Sequence, residues 1–595
     1  MTDLPSRRTF MQKAAIAGVV LNLVDGKKAV ASDISGTHLP IEIQLSSIAN
    51  ADKGARKSVA ILGAGVAGLS AAYELAKLGH KVTLLEGSQR IGGRVWTKKF
   101  DSGAYHEYGA MRIPASHDYT RHYIKESSLK LRRFVTAYKE HLNSFFHFRN
   151  EVSRIAEAGR NGFYGKAKFE LSVEHSLVAT GIVPPAILGG VLLREVQSLD
   201  VEDIASLFGN RGTLTPRARF LTRTSLRDFL LSRLCGTREE LKEALELVGI
   251  STGLEVWWDK SAGMFIRDEI TRNAEGLEEI ENGMDSLPTA LAEKCRQLAN
   301  PVDIKLNHRV SAISANDGGV RILISQLKKD EPPVPEVAIG PQINDSIWCS
   351  FDRVICTIPF PVLRDISLQG FSGTKLRAVR NLGYASSTKV LLHCNERFWE
   401  TKYQIFGGAS FSDQITRATY YPSDNTPPLS PSAAFEVPDD RSKRHLPGGS
   451  YAPSLSLFQQ GRAQAFAAPT EDETTAKAVK AGVIVGSYNW GRDARRMGSV
   501  SLSERKQACI NVIKKFHPEV ETACDDVASI AWDRHPWSRG AFCFFQPGDF
   551  ELYFRDAIRP EKNVHFAGEH CSLDQGWIQG ALISALRAVE EVVRA

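Results

Sequence analysis

The sequence predicts an α/β protein, and three observations predict it. A short apolar run, Val59-Ala60-Ile61-Leu62, ends in Gly63, Gly65 and Gly68. An apolar helical pattern from Ala71 to Leu78 follows at once, Gly79 stops it, and a second apolar run, Val82 to Leu85, ends at Glu86. The order strand, glycine turn, helix, strand, acid is that of a Rossmann-like dinucleotide-binding domain. At 595 residues and 43% hydrophobic content, the chain is long enough for more than one domain around a sizeable core.

Each part of this unit has a physical task. Gly63 makes the tight turn, Gly65 lets backbone N–H groups approach a pyrophosphate, and Gly68 lets helix and strand pack closely. The first helical turn, with Ala67, offers free N–H groups and a positive dipole end to phosphates. Glu86 stands at the distance expected of an acid that holds a ribose hydroxyl. The formal net charge of +6 is small for this length, and no dense Lys/Arg run supports nucleic-acid binding. Nine cysteines are scattered without CxxC or His/Cys ligand spacing, so neither a metal site nor a disulfide framework is expected.

The N-terminus reads as an address. Ser6-Arg7-Arg8-Thr9-Phe10-Met11-Gln12-Lys13 has the form of a twin-arginine signal. A moderately apolar stretch from Ala14 to Val24 follows, and Ala29-Val30-Ala31 offers a small-residue cleavage site. The expectation is a signal peptide over 1–31, use of the twin-arginine export machinery, and a periplasmic or secreted protein. The apolar stretch is too short for a stable membrane anchor, and no later run is long and apolar enough for one.

Directly behind the dinucleotide unit lies Glu86-Gly87-Ser88-Gln89-Arg90-Ile91-Gly92-Gly93-Arg94. Its paired glycines would let the backbone pass under a bulky cofactor, with Arg90 and Arg94 placed for phosphates and ring. Near the C-terminus, Asn563 to His570 is an apolar run into Gly568-Glu569, and Gln575-Gly576-Trp577-Ile578 opens a helix that continues to Val593. Together these motifs resemble the flavin amine oxidase superfamily over about residues 57–595, which implies a GR2-type fold and FAD. In that family the closing acid, here Glu569, meets the ribityl chain, and the helix start at Gly576, Trp577 and Ile578 faces the flavin. Tyr108-Gly109-Ala110-Met111-Arg112-Ile113-Pro114 is similar to the G-x-M-R-[IL]-P of its L-amino-acid oxidase branch. There the arginine, here Arg112, grips the substrate α-carboxylate. A planar guanidinium suits that task because it forms two parallel hydrogen bonds to a carboxylate.

The resemblance also orders the rest of the chain. It implies an FAD-binding domain from 57–118, 282–365 and 556–595, with Val310 contacting adenine. Helical patterns at Asp118 to Ser127, Ile182 to Gln197, Leu226 to Leu234 and Arg238 to Val248 imply an inserted helical domain over 119–281. Val302 to Ile324 and Trp348 to Thr357 read as strands, and Lys328 to Asn344, with four prolines, as an exposed loop. A mixed-sheet substrate domain over 366–555 follows. In it, Gly383 to Leu392 reads as one strand with Lys389 pointing inward, similar to the family lysine that holds a water against flavin N5. The Pro/Ser/Ala/Gly-rich stretch 423–480 reads as an insertion. Beyond it, Tyr488 matches the tyrosine that donates its hydroxyl to the substrate carboxylate, and Trp490 is placed at the side-chain pocket. The segment Ala531 to Phe542 reaches the far side of the flavin. Ala541 stands where some relatives carry a flavin-linking cysteine, and Cys543 is out of register, so FAD is expected to be non-covalent.

The implied activity is oxidative deamination of L-amino acids. Hydride passes from Cα to FAD N5, O2 reoxidises the flavin, and the products are a 2-oxo acid, ammonia and hydrogen peroxide. In this reading Arg112 and Tyr488 clamp the carboxylate, Gly576 receives the amino group on its carbonyl, Trp577 walls the site, and the Lys389 water assists. No strong protein base is needed if the amine enters neutral. A homo-oligomer, dimer or higher, is expected. Three alternatives stay open on the sequence: an amino-acid 2-monooxygenase that releases an amide, an amine or polyamine oxidase, and a flavin-binding protein without turnover.

Overall fold

The computed structural model describes residues 39–136, 143–158, 161–169, 191–192, 194–209, 213–233, 238–271, 276–327, 343–425 and 480–595. The leader at 1–31, the loop at 328–342 and the insertion at 426–479 lie outside the described residues, as does most of the helical pattern at 182–197.

A five-stranded sheet forms the centre, in the order Val564–Phe566, Arg353–Cys356, Ser58–Leu62, Lys81–Leu85 and Asp303–Lys305. Every pairing in it is parallel. A parallel sheet is covered on both faces, and its inner strands are accordingly mostly apolar, while the edge strand Asp303–Lys305 is polar. Val59, Ala60, Ile61 and Leu62 are all fully buried. The helix Val66–Lys77 packs against Ile578–Arg594 and Ser286–Gln297, so the two ends of the described chain meet on one face. The carboxyl ends of four strands, at Leu62, Leu85, Cys356 and Phe566, point the same way. Ligands of open α/β sheets bind in the crevice beyond those ends.

The turn after the first strand needs its glycines for two reasons. Gly63 has φ +105°, which L side chains rarely adopt. A Cβ on Gly68 would lie 1.9 Å from the Gly63 carbonyl oxygen, so the helix can start there only without a side chain. The Thr357 hydroxyl donates to the Leu62 carbonyl at 2.8 Å and closes the turn from the neighbouring strand.

Two stretches read as strands are broken. The first is Trp348 to Thr357, where Ile343–Phe351 belongs to a four-stranded sheet and Arg353–Cys356 to the parallel one. Asp352 stands at the crossing, its carboxylate accepting the Ser58 N–H at 2.7 Å. In the second, Gly383–Tyr384 pairs with Cys543–Phe544, and Ser387–Cys394 enters a seven-stranded sheet.

That larger sheet runs Cys524–Ala531, Ser387–Cys394, Gly482–Trp490, Ala418–Tyr420, Ala409–Ser412, Phe145–Phe148 and Glu151–Arg154. It is mixed, with one parallel pairing, Ala409–Ser412 on Phe145–Phe148. The last two strands lie within 119–281, the stretch expected as an inserted helical domain. Phe145-Phe146-His147-Phe148 is aromatic and buried on both faces, which favours a strand over a helix. The rest of that stretch supplies helices Pro216–Arg223, Leu226–Leu231, Arg238–Thr252 and Ala262–Thr271. Thr215 and Ser225 cap two of them by accepting the N–H groups of Ala218 and Asp228. Among the described residues no helix is long and apolar enough to cross a membrane.

Candidate active site

A cavity of about 600 Å³ lies beyond the carboxyl ends of the parallel strands. Segments from distant parts of the chain bound it. Gly63, Gly65 and Ala67 come from the first turn, and Glu86, Gly87, Arg90, Gly93 and Arg94 from the second. Gly109, Ala110 and Val310 close one side, and Gly568, Glu569, Gly576, Trp577 and Ile578 the other. Lys389, Tyr488 and Trp490 enter from the seven-stranded sheet. Gly68, Met111 and Arg112 do not bound the cavity. Gly68 is spent on helix–strand packing, and the other two reach the site through neighbours.

At the dinucleotide end the backbone lies bare. A Cβ on Gly65 would meet nothing within 4 Å, so the N-terminus of the helix Val66–Lys77 opens onto free space. Gly93 packs against it, its own Cβ position 3.3 Å from the Gly65 Cα. The Glu86 carboxylate accepts N–H groups of Ala64 at 2.7 Å and Ser88 at 2.9 Å, which fixes its direction at the cavity edge. Gly87 lies under the Trp537 ring, where a Cβ would come within 2.2 Å of a ring atom. Arg90 donates to the carbonyls of Ile91 and Gly93 and stacks 3.8 Å over the Trp96 ring. Burial pushes its pKa down to about 10. Its guanidinium therefore shapes the loop.

Glu569 ties the two ends of the site together. It accepts from Arg94 Nη1 at 2.7 Å, from the Cys543 N–H at 3.1 Å and from the Gly576 N–H at 3.0 Å. Charge-assisted bonds of this kind are stronger than neutral ones, and three of them hold the glycine loop against the C-terminal helix start. Trp577 caps that helix and takes the edge of the His117 ring at 5.1 Å between centroids.

The end of the cavity at the seven-stranded sheet is set by strand register. Lys389 pairs with Tyr488, and Ser387 with Trp490, on adjacent antiparallel strands. Side chains two apart on a strand share a face, so all four reach the cavity. Lys389 is 1% exposed. Its Nζ donates to the carbonyls of Glu107 at 3.0 Å and Gly109 at 2.8 Å and lies 3.4 Å from Met111 Sδ. Burial pushes its pKa down, the Glu107 carboxylate opposes this, and Arg112 adds to it. The Tyr488 hydroxyl hydrogen-bonds to the Arg112 guanidinium, and burial pushes the phenol pKa up. Arg112 also lies 5.8 Å from the Phe134 ring centre. Among the described residues no carboxylate forms an ion pair with it.

Three contributors had no individual role expected from sequence. Glu107 is buried below Lys389, accepting from the Thr97 hydroxyl at 2.9 Å and the Met284 N–H at 3.0 Å. It sits in a three-residue strand with no telling pattern. His117 meets Trp577 across 460 residues of chain. Phe542 packs on Trp490, ring centres 5.2 Å apart and edge to face. As for covalent attachment, Ala541 bounds the cavity, and none of the bounding residues is a cysteine. Cys543 is fully buried, and burial pushes its thiol pKa up.

Comparison with known proteins agrees with this architecture. The family model for flavin containing amine oxidoreductases matches residues 66–593. The flavin-dependent L-tryptophan oxidase RebO of Lentzea aerocolonigenes is 30% identical over 557 residues, covering 90% of this chain and 98% of its own. An L-amino-acid oxidase of Siganus canaliculatus is 27% identical over 538 residues, covering 90% and 85%. Among solved structures, putrescine oxidase bound to putrescine superposes with a TM-score of 0.61 at 18% identity, over 91% of this chain and 100% of that one. Cyclohexylamine oxidase from Brevibacterium oxydans gives 0.60 at 15%, over 91% and 99%. FAD is the cofactor. The bare Gly65 turn at a helix N-terminus, the fixed acid Glu86 and the Arg94–Glu569 clasp are the features a long dinucleotide needs at its phosphates, ribose and far end. By its fold, its cavity and its sequence, the chain belongs to the family of flavin-containing amine oxidoreductases.

Proposed function

We propose that the protein oxidatively deaminates L-α-amino acids, giving a 2-oxo acid, ammonia and hydrogen peroxide from amino acid, water and O2. The observation that carries this reading is the Tyr488–Arg112 pair. A half-buried guanidinium bonds to a phenol on the cavity wall, and no described carboxylate neutralises it. A guanidinium on the cavity side with no carboxylate of its own is suited to take that of a substrate, in two parallel hydrogen bonds. Relatives named L-amino-acid oxidase and L-tryptophan oxidase support the same substrate class.

Bound FAD supplies the two-electron acceptor, which dioxygen regenerates. The protein's own share is mostly orientation. Arg112 and Tyr488 hold the carboxylate, the Gly576 carbonyl receives the amino group, and Trp577 blocks the opposite side. Together they present one face of Cα and so select the L isomer. Lys389 Nζ, held by two carbonyls in a buried site, keeps a water in place for reoxidation or imine hydrolysis. The leader pattern around Arg7-Arg8 supports export of the folded holoprotein to the periplasm or the medium.

The test is anaerobic mixing of the holoprotein with each of the twenty L-amino acids, with D-isomers and decarboxylated amines as controls. Flavin bleaching by L-amino acids alone, followed in air by peroxide and 2-oxo acid, is the expected result. Amide and carbon dioxide as products, or faster bleaching by the amines, would overturn it.

A further inference from the structure

The cavity continues past the carboxylate clamp into a pocket with a distinct chemistry. Trp490 follows Tyr488 on the same strand face, ring centres 4.8 Å apart. Phe542 meets Trp490 edge to face at 5.2 Å, and Trp257 backs Phe542 at 6.0 Å. Buried Met264, Ala385 and Phe544 fill the space behind them. A group projecting from a carbon held at Tyr488 and Arg112 therefore runs along aromatic faces.

The acids tell against a basic side chain. Three carboxylates bound the cavity: Glu86, Asp365 and Glu569. Glu86 is held at the glycine turn by two N–H groups, Asp365 pairs with Arg539, and Glu569 is taken by Arg94. Glu255 and Asp493, two and three residues from Trp257 and Trp490 in sequence, are also matched, since Arg417 pairs with both. An ammonium or guanidinium placed against Trp490 would be stripped of water, and each carboxylate that bounds the cavity is already engaged elsewhere.

We infer that Trp490 and Phe542 form a subsite for an aromatic side chain, so that the substrates are L-amino acids carrying a phenyl or indole ring rather than a basic one. This rests on the reading of the protein as an L-amino-acid oxidase. Aromatic rings gain from edge-to-face and offset contacts beyond the area they bury, whereas an aliphatic group gains the area alone. Phe542 comes from the segment that also carries Ala541, so one loop shapes both the cofactor wall and the side-chain wall.

The experiment compares kcat/KM for L-phenylalanine, L-leucine and L-lysine in the holoenzyme and in Trp490→Leu and Phe542→Leu, with the flavin spectrum checking that each variant is loaded. L-Phenylalanine is expected to exceed L-leucine about tenfold, with L-lysine lowest. Each variant should bring the phenylalanine-to-leucine ratio down by about fivefold to tenfold, mainly through KM. A leading L-lysine, or an unchanged ratio in both variants, overturns the subsite. If no L-amino acid bleaches the flavin, the oxidase reading falls and this inference with it. Bleaching without aromatic preference removes the inference alone.

Discussion

Lys389 stands directly opposite Tyr488 across two antiparallel strands, its Nζ 4.6 Å from the centre of the phenol ring. One register thus places the buried amine and the Tyr488 hydroxyl on the same face. The amine also holds the backbone of the Glu107–Gly109 turn through two carbonyls. Lys389→Met conserves volume but leaves both carbonyls unpaired. It is expected to cost about 1–3 kcal/mol of stability, seen as a lower Tm with FAD still bound. Stopped-flow kinetics should show reoxidation slowed more than reduction. Equal slowing of both steps would remove the water-holding role.

Arg112 donates to Tyr488 and has no described acid to balance it, so its substitution separates binding from folding. Arg112→Lys keeps the charge but loses the planar fork. KM for L-amino acids should rise by at least about tenfold, equivalent to losing roughly 1.4 kcal/mol of carboxylate binding, while flavin content stays that of wild type. Tyr488→Phe should act in the same direction and more weakly. Steady-state kinetics with a fixed O2 concentration measures both, and an unchanged KM in Arg112→Lys removes the clamp.

What the sequence made legible was whatever is local. Gly63 to Glu86 is a contiguous unit whose spacing carries its own geometry, and the structure forms it as a strand, turn, helix and strand at Ser58–Leu62, Val66–Lys77 and Lys81–Leu85. Motif-borne positions such as Arg94, Glu569 and Trp577 also reach the cavity. What was not legible depends on pairing between distant segments. Nothing at Glu107 marks it as the acid beneath Lys389, because 282 residues separate it from that side chain. The strands at Phe145–Phe148 and Glu151–Arg154 lie inside a mostly helical stretch, and only the edge offered by Ala409–Ser412 gives them a sheet to join. The break within Trp348 to Thr357 is a single residue, Asp352, and no local pattern marks it.

Two glycines of the first turn should fail in different ways. Gly65 has an ordinary φ of −71° and open space around its Cβ position, so Gly65→Ala intrudes only on the cofactor's path. The apoprotein should keep its Tm and lose FAD affinity. Gly68→Ala drives a methyl into the Gly63 carbonyl and should lower apoprotein stability by about 1–3 kcal/mol as well. Differential scanning fluorimetry of the apo and FAD-loaded forms distinguishes them, and equal Tm losses in the two apoproteins would contradict this division.

Covalent attachment has a simple check. Ala541 faces the cavity and Cys543 does not, so denaturation by acid should release all of the flavin into the supernatant. Yellow colour left in the washed pellet would mean that some other side chain bonds the cofactor.

The last prediction concerns pH and lies away from the cavity. His517 is fully buried, its Nε2 2.7 Å from the Tyr421 hydroxyl among the rings of Phe145, Phe398 and Tyr403. Burial pushes its pKa down to about 3, helped by Arg154. The folded imidazole therefore stays neutral where the unfolded one, near 6.5, takes up a proton. Its contribution is complete above pH 6.5 and is lost as pH falls towards 3, at about 1.4 kcal/mol per pH unit. His517→Gln can still accept from Tyr421 and does not titrate. The variant should be the less stable protein at pH 7, and its deficit should shrink by roughly 2 kcal/mol between pH 6.5 and pH 4.5. Other groups, including His106 and His535, which burial also pushes down to about 3, titrate alike in both proteins and cancel in the difference. Urea unfolding at three pH values measures it, and a deficit that stays constant would mean that the imidazole can be protonated without unfolding.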